Sequence, residues 1–89
     1  MMIEYLAQEE GLITHQLIFK DMGIPEKTYK KLEKLVKKYD KKAVLTHVPV
    51  ANEVVIIVNK RCEDDECRKS EVEKFIEYYN KILRKINTK

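Results

Sequence analysis

The 89 residues make one domain with a modest core, short enough that oligomerisation or a covalent staple would add useful stability. The formal net charge of +3 is mild, so solubility or attraction to a polyanion has to come from where the charge sits rather than from its sum. No apolar run reaches the length of a membrane span and no basic leader precedes an apolar segment, so a cytoplasmic location is expected. The abundance of Lys, Glu and Ile resembles thermophile usage.

Residues 2–10 read as a short helix, with Ile3, Leu6 and Ala7 at helical spacing and Gly11 as its stop. Leu12 and Ile13 read as an extended link. Thr14 is a suitable N-cap for a second helix over residues 15–22, which would turn Leu17 and Ile18 inward. Gly23 stands where a left-handed C-cap is wanted. Ile24 and Pro25 open a third helix ending near Tyr39. In it Thr28, Tyr29, Leu32, Leu35, Val36 and Tyr39 make one apolar stripe, and Lys27, Lys30, Lys31, Lys34, Lys37 and Lys38 take the remaining face.

Residues 40–42 read as a turn, 43–48 as a β-branched strand, 49–52 as a second turn and 54–58 as another strand, together a hairpin. Residues 59–69 read as a charged linker holding both cysteines. Ser70 and Glu73 form a capping box that would start a last helix. Val72, Phe75, Ile76, Tyr79, Ile82, Leu83 and Ile86 then recur at spacings of three and four. The expected division is residues 1–59 as one domain and 60–89 as linker and terminal helix.

Charge is unevenly spread. Residues 20–42 hold nine lysines against four acids, and Lys81, Arg84, Lys85 and Lys89 make the C-terminus basic without an acid among them. A basic cluster fits a nucleic-acid partner, and a solvated helix face is the ordinary alternative.

The stretch Ile13-Thr14-His15-Gln16-Leu17-Ile18-Phe19-Lys20-Asp21-Met22-Gly23-Ile24-Pro25-Glu26-Lys27-Thr28-Tyr29-Lys30-Lys31-Leu32 resembles the helix-turn-helix of winged-helix DNA-binding proteins, and the hairpin after it lies where that family carries its wing. The resemblance covers residues 2–59 and extends to small archaeal transcription regulators and plasmid partition adaptors. It implies an α+β fold, a winged helix-turn-helix of three helices with a C-terminal dimerisation helix. It also implies a homodimer on double-stranded DNA, with palindromic half-sites following from the two-fold.

The residues that would meet DNA are Thr14, His15, Glu26, Lys27, Lys30, Lys31 and Lys34. The residues that would join two copies are Val72, Phe75, Ile76, Tyr79, Ile82, Leu83 and Ile86, with packing inside one chain as the alternative. With no Arg, Asn or Gln on the basic face, phosphate contact should dominate over base readout. The hairpin tip Pro49-Val50-Ala51-Asn52 lacks a cation, unlike many wings, so the hairpin reads as core or as a protein-contact surface. Arg84, Lys85 and Lys89 fit either backbone contacts or the negative end of a helix dipole.

Cys62 and Cys67 bracket four acids and read as a local disulfide or plain thiols; zinc would need two further ligands and a different spacing. His15 reads as exposed and His47 as lying on a strand face. No catalytic triad, phosphate-cradling glycine loop or metal cluster is legible, so neither catalysis nor a cofactor is expected. Three functions remain: a dimeric transcription regulator, a partition or architectural adaptor that binds a site and spreads along DNA, and a winged-helix module that binds only protein.

Overall fold

Burial alternates along residues 16–21: Leu17, Phe19 and Asp21 are buried while Gln16, Ile18 and Lys20 face the other way. That period of two is a strand's, not a helix's. The computed structural model describes residues 3–6 and 14–87. In it this stretch is β2 (Thr14–Asp21), preceded by β1 (Glu4–Tyr5) and followed by α1 (Glu26–Tyr39), β3 (Val44–Val48), β4 (Glu53–Cys62) and α2 (Asp65–Asn87).

The strands form one antiparallel sheet in the order β1-β2-β4-β3. Leu17, Phe19, Leu45, Val54, Ile56 and Val58 line its covered face, and Leu32 and Val36 of α1 and Phe75, Tyr79, Ile82 and Leu83 of α2 close over them. Phe19 and Phe75 meet at 4.5 Å between ring centroids, and Tyr39 reaches Phe75 at 5.4 Å.

The α+β class holds, but the three-helix winged-helix arrangement gives way to four strands and two helices among the described residues. The expected second helix is β2. Its register with β4, from Gln16↔Asn59 to Asp21↔Val54, satisfies the backbone of a central strand, and the partner run over 54–58 supplies the apolar contacts. Gly23 therefore turns a strand, not a helix, into α1, with φ of 75°, where a Cβ would clash. Ile24 is buried at that junction, and its amide donates to Asn52 O at 2.8 Å, tying the hairpin turn to the start of α1. Of the expected first helix, Glu4–Tyr5 is strand and residues 7–11 lie outside the described residues, as do Leu12 and Ile13.

α2 starts five residues before Ser70. Asp64 caps it: its Oδ1 accepts the Cys67 amide at 2.7 Å and its backbone oxygen the Arg68 amide at 3.2 Å. The expected linker is thus the end of β4, a bend and the first turn of α2, and the boundary after residue 59 falls inside β4. The stripe expected to join two copies closes this chain's own core instead. Phe75, Tyr79, Ile82 and Leu83 are buried, with Val72, Ile76 and Ile86 packed at its margin. Leu32 and Val36 of α1 cover only part of the sheet, and the stripe of α2 covers the rest of that face.

One buried polar contact anchors α2 to the sheet. Tyr79 Oη donates to Asp21 Oδ2 at 2.5 Å, while Asp21 Oδ1 accepts the Met22 amide at 2.7 Å. Burial, and then the Asp21 carboxyl beside it, pushes the Tyr79 hydroxyl well up from its ordinary range, so it stays a donor.

Candidate nucleic-acid interface

α1 buries Leu32 and Val36 and half-buries Thr28, Tyr29, Glu33 and Leu35. At about 100° per residue, Lys37, Lys30, Lys34, Lys27, Lys38 and Lys31 follow one another over an arc of about 120° on the opposite side. All six are exposed. Lys37 pairs with Glu33 at 3.8 Å, and the other five have no ion pair among the described residues. The lysine row along α1 is about 17 Å long.

The neighbouring helix extends this surface. Tyr39 packs on Phe75 and on Tyr78 (4.9 Å), and one turn earlier Leu35 O accepts the Tyr78 hydroxyl at 2.5 Å. These contacts set α2 antiparallel beside α1. They also fix which flank of α2 faces α1: that of Glu71, Phe75, Tyr78 and Ile82. The same helical geometry puts Lys74, Lys81 and Lys85, at spacings of seven and four, on the outer edge next to that flank. All three are exposed, and Lys74 leans 3.5 Å from Glu71. Glu73 and Glu77 fall on the outer side away from α1, and Glu26 and Glu33 toward the β3 side of α1. The outward surface of the helix pair is therefore a lysine band bordered by these acids, with the half-buried Glu71 in the seam between its rows. Two helices packed about 8–10 Å apart hold its two rows.

Of the residues expected to meet DNA, Lys27, Lys30, Lys31 and Lys34 come together in this band and Glu26 stands at its rim. Thr14 and His15 do not join them: they open β2, a strand length of about 23 Å from the junction with α1. Lys37, Lys38, Lys74 and Lys81 were not singled out as contact residues, and Lys85 was named only with Arg84 and Lys89 as a backbone contact or a helix-dipole partner; the spacing of Lys74, Lys81 and Lys85 is the signal that finds the α2 row. His47 is a support for α1 rather than a surface group. Its Nε2 lies 2.8 Å from Ile24 O and its ring stacks on Tyr29 at 4.9 Å. Tyr29 in turn donates to Leu45 O at 3.1 Å, and burial, then Glu33, raises the pKa of its hydroxyl.

The seam between α1, α2 and β4 opens a cleft of about 340 Å³ lined by Tyr39, Asp40, Asn59, Lys60, Glu71 and Lys74. Glu71 pairs with Lys60 at 3.7 Å and with Lys74, and Asp40 accepts the amides of Lys42 and Asn59, so its charges are already matched. Burial, followed by Glu71 and Asp40, raises the Tyr39 pKa there.

Cys62 and Cys67 are free thiols, one buried and one half-buried. Burial first, and then Cys67 beside it, pushes the Cys62 thiol up to about 11, which keeps it protonated and unreactive at neutral pH. Among the described residues no group of three or more His, Cys, Asp or Glu is placed to hold a metal ion, and no helix is long and apolar enough to cross a membrane.

Fold and surface together define a class: a small α+β protein that, over the described residues, sets two helices on a four-stranded antiparallel sheet and carries a cationic outer helical layer. Compared with protein-family models, curated proteins and solved structures, the chain matches none.

Proposed function

We propose that this protein binds double-stranded DNA through its phosphates, using the lysine band of α1 and α2 as the contact surface. What carries the proposal is the one-sidedness of the charge: lysines of two separate helices share one outward surface, Glu26, Glu33, Glu73 and Glu77 sit at its borders, and Glu71, in the seam between the rows, is matched by Lys60 and Lys74. A merely solvated surface has no reason to sort its signs across two helices; a polyanion gives it one. No helix-turn-helix is required, because the cationic helix keeps its exposure whether its predecessor is helix or strand.

The two lysine rows, about 10 Å apart, are comparable to the ~12 Å width of a major groove, so one row can serve each flanking backbone. Lysine is a point charge without the planar fork that reads guanine, and the exposed surface of α1 lacks Arg, Asn and Gln. Binding is therefore semi-specific at most. That favours the architectural or partition role over an operator-reading transcription regulator. A binding role in the cytoplasm, with no catalysis, belongs to the same proposal.

The test is a fluorescence-anisotropy titration of a mixed-sequence duplex at low salt. Lys31→Ala/Lys34→Ala/Lys81→Ala should weaken binding by at least about tenfold, while Lys69→Ala, outside the band, should leave it within about twofold. Equal effects of both variants would remove the band from the contact. Absence of binding by the wild type would leave the protein-only module.

A further inference from the structure

The second broad side of the sheet has no helix over it among the described residues, and its composition is that of a contact surface. Leu6, whose amide donates to Ile18 O, lies in one row with Ile18, Ile57 and Val44, so that apolar residues cross the whole sheet. The next row is Glu4, Lys20, Val55 and Thr46, and beyond it Glu53 stands opposite Val48. Val44 is 51% exposed, Val48 39%, Met22 52% and Val50, at the hairpin tip, fully exposed. Of the large apolar residues exposed among the described residues, all but Tyr39 are therefore on this side or at its rim. Scattered apolar residues on a surface are ordinary; a continuous row across a sheet is not.

From this we infer that the open sheet face is the contact between two copies of this chain, packed sheet to sheet. Charge selects the occupant. The face carries Glu4, Lys20 and Glu53, both signs and nearly neutral, so it neither attracts a polyanion nor repels its own copy, whereas the lysine band would repel itself. Among the described residues no aromatic side chain stands on it, which removes the stacking platform that single-stranded nucleic acid needs. Two such sheets pack face to face at about 10 Å, the interdigitating β-branched side chains making the contact. Four strands give a face of about 400 Å² in projection, below the ~800 Å² per partner of a standard interface, so the contact belongs with weak, transient dimers and is sought at high protein concentration.

The consequence for DNA, which rests on the function proposed above, follows from sidedness. The helices cover one side of the sheet and the contact uses the other, so a dimer points its two lysine bands in opposite directions. It would join two separate duplex segments, not read adjacent half-sites of a palindrome.

Sedimentation equilibrium from roughly 1 μM to 1 mM tests the contact on the full chain. The wild type should shift from monomer to dimer over that range. Val44→Glu and Val48→Glu, at positions exposed enough to leave the far-UV circular dichroism unchanged, should each weaken the dimer by at least about tenfold by burying unpaired charge. In parallel, an immobilised duplex is used to capture a labelled second duplex. Wild type should bridge them, and the variants should bind single duplexes within about twofold but lose bridging. A monomer throughout the range, or a dimer indifferent to both substitutions, overturns the inference. A dimer lost on substitution in a protein that never binds duplex upholds the contact and retires the DNA reading.

Discussion

Tyr79→Phe removes one oxygen from the centre of the molecule. Tyr79 is 0% exposed and Asp21 1%, and their 2.5 Å contact is the short distance of a hydroxyl bonded to a carboxylate. Without the hydroxyl, Asp21 Oδ2 is left buried with no donor, and only the Met22 amide still serves the other oxygen. A lost hydrogen bond to a buried charged group costs about 1.5–3 kcal/mol, and the void left by one oxygen adds little. For a domain of this size about 2 kcal/mol lowers Tm by about 8–16 °C. Asp21→Asn keeps an acceptor for the hydroxyl and should lose less. In that background Tyr79→Phe should cost under half of its original penalty, because the pair acts as a unit. Urea denaturation followed by circular dichroism gives all four corners of the cycle. A Tyr79→Phe protein within about 0.5 kcal/mol of wild type would refute the assignment of this contact as the polar anchor of α2.

Three further outcomes follow from the fold. Gly23→Ala places a Cβ at φ of 75° and should destabilise by about 1–2 kcal/mol in the same denaturation assay, while the neighbouring exposed Met22→Ala should cost little. Asp64→Ala removes the cap of α2 and should cost about 1 kcal/mol; Ser70→Ala, inside the helix, should cost far less, reversing the order that the capping-box pattern suggests. Stability should fall on the alkaline side. The Cys62 thiol, raised from 9.0 to about 11, favours folding fully below pH 9, and that contribution is lost as pH rises toward 11. Buried Tyr79 and half-buried Tyr78 and Tyr5, raised in the same direction, extend the loss above pH 10, so Cys62→Ala should make the thermal-denaturation profile shallower between about pH 9 and 11 without making it flat.

The hairpin, α1 and the apolar stripe of α2 were legible because their signals are local: turn residues at 49–52, a Gly-Ile-Pro entry to a helix, and three-four spacing. β2 was not. Leu17-Ile18-Phe19 fits a buried strand or a helix face equally well, and Gly23 punctuates either; the alternation that marks the strand is in burial and not in residue type, since Ile18 faces out and Asp21 faces in. What makes it a strand is pairing with β4, some 40 residues on, which no local pattern records. The same non-local pairing exposes the outer sheet face and draws the stripe of α2 inward. Of the candidate site, the lysines of α1 could be read from spacing, whereas their union with Lys74, Lys81 and Lys85 needed the helix packing that Tyr39 and Tyr78 set.

The most direct test of the lysine band as a DNA-binding surface is the salt dependence of duplex binding. If about five of its lysines neutralise phosphates, log K against log salt should have a slope of about −4.5, and Lys31→Ala/Lys34→Ala/Lys81→Ala should reduce it by about 2 to 3. A wild-type slope near zero, or one that these substitutions leave unchanged, would contradict the account.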